Sequence, residues 1–363
     1  MNKERYIGIM SGTSLDGVDI ALCQLTSNSC VLESSLFLSF DKSLKEEILF
    51  VINGTTTLKQ IGEIDHKLAL FFSKAVNDLL KQEKLIAKDI RAIGSHGQTL
   101  WHEPNSEYPF SMQLGNASIL SVQTGIDVVS DFRSKDVAHG GQGAPFAPAF
   151  HQFLFSNIKK GAILNIGGMA NITILGSEPI GYDTGCGNVL MDFWTMKHKE
   201  MDYDEDGAWA KSGNINTKLL KNMLSDHYFS LKFPKSTGRE YFNKNFLINY
   251  LEPLGKIPNE DIQATLLALT VQSIALEIKK FDIEELLVCG GGVKNIFLMY
   301  QLKKILPLVQ IKITDEYAVS SDNLEAMIFA WLAYKRVVGE PVELKSITGA
   351  INNTILGGIY AGN

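Results

Sequence analysis

Residues 6–19 read YIGIMSGTSLDGVD, and this stretch sets the frame of the fold. Its first part, Tyr6–Met10, is apolar, and a glycine turn follows before the chain becomes apolar again at Val18. Val18–Leu25 and Val31–Phe40 show a rough alternation of apolar and polar residues, which is typical of strands. The pattern predicts three strands, of which the first two are joined by a polar turn that contains glycine.

The second half of the chain repeats this beginning. Ala162–Ile166 is apolar, Gly167–Ala170 has the composition of a tight turn, and Asn171–Leu175 is apolar again. A strand, a glycine turn and a strand at the head of each half suggest two related domains. The length of 363 residues agrees with two domains.

Helices and strands alternate after these two beginnings. Apolar residues at helical spacing predict a helix over Leu58–Leu80, and short apolar runs predict strands at Arg91–Gly94 and Ile126–Ser130. In the second half the predicted helices are 188–198, 216–224, 261–281, 295–306 and 323–338, and the predicted strands are 286–289 and 309–313. This alternation indicates an α/β fold in which helices cover the sheets.

Residues 131–148, DFRSKDVAHGGQGAPFAP, interrupt the alternation. Gly, Pro and charged residues are too dense in this segment for a regular element. It is therefore predicted to be irregular, either a crossing between domains or a functional loop. We expect a first domain at 1–135, completed by 340–363, and a second domain at 136–339.

Composition and charge argue against several classes of protein. A net charge of −6 does not favour a nucleic-acid partner, and a 45% apolar share argues against disorder. The N-terminus lacks a signal-peptide pattern, and no run of about 18 apolar residues predicts a membrane span. The four scattered cysteines predict neither a disulfide framework nor a metal site. We expect a cytoplasmic protein with no nucleic-acid or membrane partner.

Three glycine clusters are candidates for binding phosphate or nucleotide. Residues 11–17 carry hydroxyls and a carboxylate in a turn whose backbone N–H groups can bind an anion. Residues 167–170 include no charged or aromatic side chain, and residues 290–292 lie between a predicted strand and helix, where a ring or a phosphate fits. The sequence contains neither a P-loop nor a dinucleotide-binding motif. An ordinary turn remains the alternative for each cluster taken alone.

Several polar residues have a functional and a structural interpretation. Asp183, between glycines before a predicted helix, is either a general base or a cap of that helix. Glu325 lies in the first turn of a predicted helix, where a favourable interaction with the helix dipole is the alternative. Arg133 is suited to binding a carboxylate, or is an ordinary surface residue. His96 and Gln98 follow a predicted strand, and the separation of His96 from His102 is not a standard zinc-ligand spacing. Substrate hydrogen bonding or a plain structural role is the interpretation of this segment.

Taken together, these motifs resemble the anhydro-N-acetylmuramic acid kinase family, a relative of actin and of many sugar kinases. The most specific motif is MSGTSLDG at residues 10–17. The resemblance continues in order through residues 94–99, 131–133, 140–148, 165–171, 183–185, 235–240, 290–292, 325–326 and 348–350. It implies two actin-like, ribonuclease H-like domains, each a mixed sheet with flanking helices, around an interdomain cleft.

The resemblance also implies an activity. The family uses ATP to phosphorylate 1,6-anhydro-N-acetylmuramic acid and cleaves the anhydro bridge with water in the same event. The product is N-acetylmuramic acid 6-phosphate, an intermediate of cell-wall recycling. Asp183 would be the base that deprotonates the attacking water, and Arg133, Glu325, His96 and Gln98 would bind the sugar. The residues that would bind ATP are Gly12, Thr13, Ser14, Asp16, Gly17, Asp19, Gly167, Gly168, Gly290 and Gly291.

The resemblance leaves other points open. Mg²⁺ is expected to bridge the phosphates, held largely through waters, with no protein ligand assigned. A homodimer is the oligomeric state that the family suggests. The alternatives are another sugar kinase of the same superfamily, acting on an ordinary hydroxyl, and a non-enzymatic ATP-dependent clamp.

Overall fold

The structure is a computed structural model that describes residues 3–12, 15–317 and 319–362. Thr13 and Ser14, two of the predicted phosphate-binding residues, therefore lie outside the described residues. The chain divides into two units. Unit 1 comprises Met1–Leu154 with Asn323–Asn363, and unit 2 comprises Phe155–Asp322. The predicted domain limits, 1–135 with 340–363 and 136–339, stay a prediction.

Twelve strands and fourteen α-helices make up the regular part of the described residues. The strands are β1 (Glu4–Ser11), β2 (Gly17–Thr26), β3 (Ser29–Ser39), β4 (Ala92–Glu103), β5 (Phe110–Leu114), β6 (Val128–Ser130), β7 (Gly161–Ile166), β8 (Met169–Ile174), β9 (Ile180–Cys186), β10 (Glu285–Cys289), β11 (Gln310–Ile313) and β12 (Gly358–Tyr360). The helices are α1 (Lys42–Asn53), α2 (Leu58–Glu83), α3 (Ala117–Thr124), α4 (Phe132–Ala138), α5 (Ala147–Leu154), α6 (Val189–Lys199), α7 (Ala208–Ser212), α8 (Thr217–Leu224), α9 (His227–Ser230), α10 (Lys244–Leu251), α11 (Asn259–Ile278), α12 (Ile296–Ile305), α13 (Leu324–Val338) and α14 (Lys345–Thr348).

Unit 1 contains a mixed sheet. β1, β2 and β3 form an antiparallel meander, β4 lies parallel to β1, and β6 lies parallel to β4. The strand order is β12-β6-β4-β1-β2-β3, and β5 pairs with β4 outside this order. Apolar residues of β1 and β2 share a buried core with α1, α2 and α3. α13 also packs on β1, β2 and β4, so the first strands of the unit are enclosed by helices.

Two glycines allow the close packing of α13 on this sheet. Gly8 of β1 pairs with Gly94 of β4. A Cβ atom at Gly8 would lie 1.9 Å from the carbonyl oxygen of Ala326, and one at Gly94 would lie 1.9 Å from that of Phe329. Any side chain at either position would therefore push α13 away from the sheet.

Unit 2 contains a second mixed sheet, with the order β11-β10-β7-β8-β9. β7, β8 and β9 form an antiparallel meander, and β10 and β11 continue it in parallel to β7. α11 is the core helix of this unit. Among the described residues it is the one helix long and apolar enough to cross a membrane, yet 83% of its apolar window is buried within the protein. That burial is typical of a core helix.

The two sheets share one topology. Counted along the chain within each unit, and leaving out the side strand β5 and the edge strand β12, five strands follow the order 3-2-1-4-5 with the first three antiparallel. The glycine turn joins the first two strands each time. The predicted α/β class, with a mixed sheet and flanking helices in each half, is confirmed. The predicted interdomain cleft stays a prediction.

Two details of the prediction were wrong. Residues 131–148 are not irregular throughout, because α4 occupies Phe132–Ala138 and α5 begins at Ala147. The Asp136 carboxylate accepts a hydrogen bond from the Gly143 N–H at 2.7 Å, which folds the glycine-rich part back onto α4 and confines the irregular backbone to 139–146. The strand predicted at Arg91–Gly94 continues to Glu103 because β5 pairs with its second half.

Candidate functional site

The first glycine turn connects β1 to β2 in unit 1. Gly12 accepts a hydrogen bond from the Leu15 N–H at 3.4 Å, and Leu15 is buried with a left-handed φ of 55°. The Asp16 carboxylate forms an ion pair of 3.1 Å with the Lys45 ammonium. A Cβ at Gly17 would lie 2.3 Å from the Leu38 carbonyl oxygen, which gives this glycine a packing role in addition to the predicted one.

Gln98 and His96 lie within β4, where their side chains are buried. The Gln98 amide oxygen accepts a hydrogen bond of 2.6 Å from the Ser11 hydroxyl, and the two residues are partners in the β1–β4 ladder. Gln98 therefore ties the end of β1 to β4, next to the glycine turn. Its predicted contact with the sugar stays a prediction.

His96 is held as a neutral imidazole. Burial, and then the positive charge of Arg133, lower the pKa of His96 to about 3. Its Nε2 accepts hydrogen bonds from Arg133 Nε at 3.1 Å and Nη2 at 2.8 Å, which places the ring proton on Nδ1. Within the described residues, Nδ1 forms no hydrogen bond of normal geometry. The backbones of Gly97 and Ser11 nevertheless act to raise the pKa of the ring, against the larger effects of burial and Arg133.

Arg133, on α4, is fixed by three hydrogen bonds. Two go to His96, and the third runs from Nη1 to the Gly143 carbonyl oxygen at 3.2 Å. Burial lowers the pKa of Arg133 to about 10, so the guanidinium stays charged at neutral pH. A guanidinium has about five N–H donors, and the three bonds leave part of its donor set for an anion or a hydroxyl. The Asp136 carboxylate supports this arrangement through the Gly143 N–H.

Glu325 lies near these residues, in the first turn of α13. The His96 ring packs against Phe329, one helical turn further along, with ring centroids 4.7 Å apart. The Glu325 side chain is exposed to solvent. Desolvation by surrounding protein, and then the negative charge of Asp19 on β2, raise the pKa of its carboxyl. His96, Arg133 and Glu325 thus lie in the same region of unit 1.

Asp183 is in unit 2, in β9, and does not cap a helix. The helix that follows, α6, begins at Val189, and Asn188 is its N-cap. The Asp183 Oδ2 accepts a hydrogen bond from the Thr237 N–H at 2.9 Å. Burial raises the pKa of Asp183 to about 6, against the opposing effect of the Thr237 hydrogen bond, and the negative charge of Glu240 adds a smaller rise. A carboxylate with this pKa is suited to accept a proton near neutral pH.

The second glycine turn lies beside Asp183 in the same sheet. The carbonyl oxygens of Gly167 and Gly168 accept hydrogen bonds from the N–H groups of residues 187–189, which follow β9. The Gly168 N–H is left without a hydrogen bond among the described residues. A Cβ at Gly168 would lie 3.8 Å from the Arg239 guanidinium, so a cation lies beside this glycine turn. That combination suits a phosphate.

The third glycine cluster opens onto a cavity of about 340 Å³ in unit 2. Gly290 has a φ of 79°, and a Cβ there would lie 2.2 Å from Asn165 Oδ1, so the position requires glycine. A Cβ at Gly291 would meet no atom within 4 Å. The cavity is lined by Asn188, Met191, Asp192, Tyr203, Asp204, Asp206, Gly291, Lys294 and Asn295. Its size and mixed polarity fit a nucleoside.

Metal ligands are sparse in the described residues. No group of three or more His, Cys, Asp or Glu side chains could hold a metal ion there. Mg²⁺ in kinase sites is bound through one or two carboxylates, substrate phosphates and waters, and it does not require such a group. The residues present therefore fit a Mg²⁺ ion that is carried mainly by the nucleotide.

A duplicated sheet with one glycine turn at the head of each copy is the architecture of the actin-like kinases and ATPases. Unit 1 contains the charged guanidinium of Arg133, and unit 2 contains the Asp183 carboxyl with its raised pKa. The fold thus defines a member of the actin-like class of kinases and ATPases. Sequence comparison narrows this class to one family.

The family model for anhydro-N-acetylmuramic acid kinase matches residues 4–362. A relative described as anhydro-N-acetylmuramic acid kinase from Sulfurovum sp. (strain NBC37-1) is 57% identical over 362 residues, which cover 99% of this chain and 100% of the relative. Another with the same description, from Sulfurimonas denitrificans, is 53% identical and covers the same shares of both chains. The chain belongs to the anhydro-N-acetylmuramic acid kinase family.

Solved structures give more distant likenesses. An activator of 2-hydroxyisocaproyl-CoA dehydratase from Clostridium difficile has a TM-score of 0.46 at 14% identity, covering 92% of this chain and 96% of its own. A glucokinase of the ROK family from Streptomyces griseus has a TM-score of 0.41 at 11% identity, covering 91% of this chain and 99% of its own. These likenesses are too weak to support an argument about this chain.

The structure also indicates a role for residues whose function the sequence does not predict. Thr237 and Arg239 belong to the motif at 235–240, which matched the family pattern without suggesting a function. Asp136 lies in the segment predicted to be irregular. Membership of a motif was the signal for Thr237 and Arg239, whereas no motif included Asp136, and spacing alone could not show what each residue contacts.

Proposed function

We propose that the protein is an ATP-dependent kinase that opens 1,6-anhydro-N-acetylmuramic acid with water and phosphorylates O6, as its family does. The observation that carries this proposal is the Asp183 carboxylate, which is half-buried, anchored by the Thr237 N–H and has a pKa raised to about 6. Such a group is a base for water near neutral pH. Membership of the family supplies the identity of the sugar and the place in cell-wall recycling.

In the proposed reaction, Asp183 takes a proton from water while the water oxygen bonds to C1 of the sugar. The bond between C1 and O6 breaks, and O6 forms a bond to the γ-phosphorus of ATP as the bond from that phosphorus to ADP breaks. The products are N-acetylmuramic acid 6-phosphate, ADP and the proton on Asp183. Mg²⁺ would neutralise phosphate charge during the transfer.

The remaining roles follow from charge and position. We assign the free donors of Arg133 to the sugar, with His96 holding the guanidinium in place. Glu325 would accept a hydrogen bond from a sugar hydroxyl, because its side chain is open to solvent on the first turn of α13. The turns at Gly12–Gly17 and Gly167–Gly168 would contact phosphates, and the cavity at Gly291 would hold the nucleoside.

We further propose that the protein acts in the cytoplasm on Mg²⁺-ATP and forms a homodimer. The support for Mg²⁺ is the fit described above. The support for the cytoplasm is the scattered placement of the four cysteines in the sequence, which predicts no disulfide framework. The support for a homodimer is the family resemblance.

A product assay in ¹⁸O-labelled water tests the function. Purified protein with ATP, Mg²⁺ and the anhydro-sugar is expected to yield ADP and a 6-phosphorylated reducing sugar with one ¹⁸O at C1. Because reducing ends exchange oxygen with water, unlabelled product incubated in the same water is the control, and reactions are quenched early. A phosphosugar without the label would indicate a sugar kinase acting on an ordinary hydroxyl. Release of ADP and phosphate with no phosphosugar would indicate a clamp.

The pH dependence of kcat/KM is expected to show an acid limb near pH 6. The base must be ionised to act, so the rate falls as the pH decreases through the Asp183 pKa of about 6. One pH unit below that pKa, about a tenth of the protein has the active form. His96 does not contribute, because its pKa is about 3. A rate that is constant from pH 8 to pH 5, with chemistry limiting, would contradict the assignment.

A further inference from the structure

The motif at residues 235–240 includes a buried lysine that the proposed reaction does not use. The Lys235 side chain is 2% exposed, and its Nζ forms an ion pair of 2.8 Å with Glu277 Oε1. The same Nζ lies 3.4 Å from the Tyr228 carbonyl oxygen and 4.8 Å from the centre of the Tyr228 ring. A charge buried in this way is costly unless it is fully paired.

Glu277 on α11 completes the pairing and reaches a second segment. Its side chain is 3% exposed, and its Oε2 accepts hydrogen bonds from the Tyr182 hydroxyl at 3.0 Å and from Lys280 at 2.5 Å. Burial acts to raise the pKa of Glu277, but the hydrogen bonds from Lys235 and Lys280 outweigh it and hold the pKa below its usual value. One carboxylate on the core helix thus anchors Lys235 and the residue next to Asp183.

The loop that contains Lys235 contacts Asp183 directly. The Lys235 carbonyl oxygen accepts a hydrogen bond from the Asp183 N–H at 3.0 Å. Two residues later, the Thr237 N–H donates to Asp183 Oδ2 at 2.9 Å. Tyr228, whose carbonyl oxygen and ring contact the Lys235 ammonium, donates from its hydroxyl to the Asp183 carbonyl oxygen at 2.8 Å. Backbone and carboxylate of Asp183 are therefore both positioned by groups that the ion pair fixes.

We propose that the buried Lys235–Glu277 ion pair is a positioning device for Asp183, which fixes the loop at 235–237 and so the orientation and basicity of the catalytic carboxylate. The inference rests on the proposed role of Asp183. Buried ion pairs contribute little net stability compared with apolar residues of similar volume. A role in positioning gives a reason for this chain to bury one behind its reactive carboxylate.

Replacing Lys235 with methionine tests the proposal. We expect kcat to fall about 10²-fold, as for a small misplacement of a catalytic group, while KM for ATP changes little. We also expect the acid limb of kcat/KM to move to higher pH. The Thr237 hydrogen bond lowers the pKa of Asp183, and its loss leaves burial and the negative charge of Glu240 to act unopposed.

Lys280→Met is the matched control. Lys280 pairs with the same Glu277 carboxylate from just beyond the end of α11, but within the described residues it forms no hydrogen bond or ion pair with the loop or with Asp183. This variant is expected to keep the wild-type kcat and the wild-type acid limb. If Lys280→Met and Lys235→Met alter both quantities equally, the cause is the loss of a positive charge beside Glu277, and the proposal is overturned.

A double variant, Lys235→Met with Glu277→Leu, separates positioning from stability. Removal of both charges avoids a lone buried charge, so the thermal midpoint is expected to recover toward that of the wild type. The proposal predicts that kcat stays low and the acid limb stays displaced in this stable protein. Recovery of both together with stability would show that the pair serves folding alone.

A carboxyl titration of Asp183 keeps this test independent of turnover. In protein labelled with ¹³C at the aspartate carboxyls, the Asp183 signal is identified by its absence from the spectrum of Asp183→Asn. A higher pKa in Lys235→Met than in the wild type and in Lys280→Met supports the proposal, and an equal pKa in all three overturns it. Failure of the wild type to form phosphosugar would remove the proposed function without altering this readout.

Discussion

Asp183→Asn is expected to lower kcat about 10³-fold, within the range of effects for a lost general base, and to raise the stability of the folded protein. Asparagine cannot take the proton of the attacking water. Its Oδ1 can still accept the Thr237 hydrogen bond, which the carboxylate accepts at 2.9 Å, so the loop need not move. Turnover is measured with the product assay, and stability is measured by thermal unfolding at pH 8 and at pH 5.

The expected gain in stability depends on pH. The pKa of Asp183 is raised in the folded state from 3.8 to about 6, mainly by burial, so the folded protein is destabilised by the ionised carboxylate. This cost is fully present above pH 6 and is progressively lost as the pH falls toward the unfolded pKa. The side chain is only half-buried, so we expect a gain of about 1–2 kcal/mol at pH 8, and a smaller gain at pH 5.

Asp192→Asn is the control for this experiment. Burial also raises the pKa of Asp192 to about 6, and Asp192 lies on α6 at the cavity near Gly291. Its replacement is expected to stabilise the protein in a similar way but to keep the acid limb of kcat/KM. Near-normal kcat in Asp183→Asn would remove Asp183 as the base. Loss of activity together with loss of stability would instead give Asp183 a structural role.

The general architecture could be predicted from local pattern because the same pattern occurs at the head of each half of the chain. An apolar run, a glycine turn and a second apolar run occur at residues 6–25 and 162–175, and both become antiparallel pairs at the head of a 3-2-1-4-5 sheet. The helices over 58–80 and 323–338 were predictable because their apolar residues repeat with helical spacing. Local periodicity is the information needed for such elements.

The elements that were missed depend on partners far away in the sequence. His96 and Gln98 belong to a strand because β1 lies on one side of β4 and β5 on the other. No property of the residues 95–98 themselves favours a strand, since they contain glycine and polar side chains. In the same way, α4 lies inside a segment rich in helix breakers. Its Asp136 carboxylate accepts hydrogen bonds from the Gly143 N–H at 2.7 Å and from the distant Thr348 hydroxyl at 2.8 Å.

For the candidate site, too, some features could be predicted from the sequence and others depend on distant contacts. Resemblance to the family could select Asp183 and Arg133, and the structure gives both a defined environment. The sequence could not show that Gln98 is bonded to Ser11, or that Asp16 pairs with Lys45. It also could not connect Lys235 to Glu277, which is 42 residues away. These contacts depend on how α11 and β9 pack, which no local pattern encodes.

Gly8→Ala is expected to destabilise unit 1 by about 3 kcal/mol or more, as severe overpacking does. The added Cβ would lie 1.9 Å from the Ala326 carbonyl oxygen and 2.7 Å from the Ala330 nitrogen, which are backbone atoms of α13 and cannot rotate away. α13 must move off the sheet. Because Glu325 immediately precedes Ala326, KM for the sugar is expected to rise as well. Thermal unfolding and steady-state kinetics measure the two effects.

Gly62→Ala separates the effect of position from the effect of the substitution. Gly62 lies in α2, where an added Cβ would meet no atom within 4 Å. Alanine at such a site is expected to stabilise the helix by about 1 kcal/mol and to leave KM unchanged. A rise in KM for Gly8→Ala in the protein that remains folded would support a link between the seat of α13 and the sugar. A Gly8→Ala protein with wild-type stability would show that α13 does not pack tightly against Gly8.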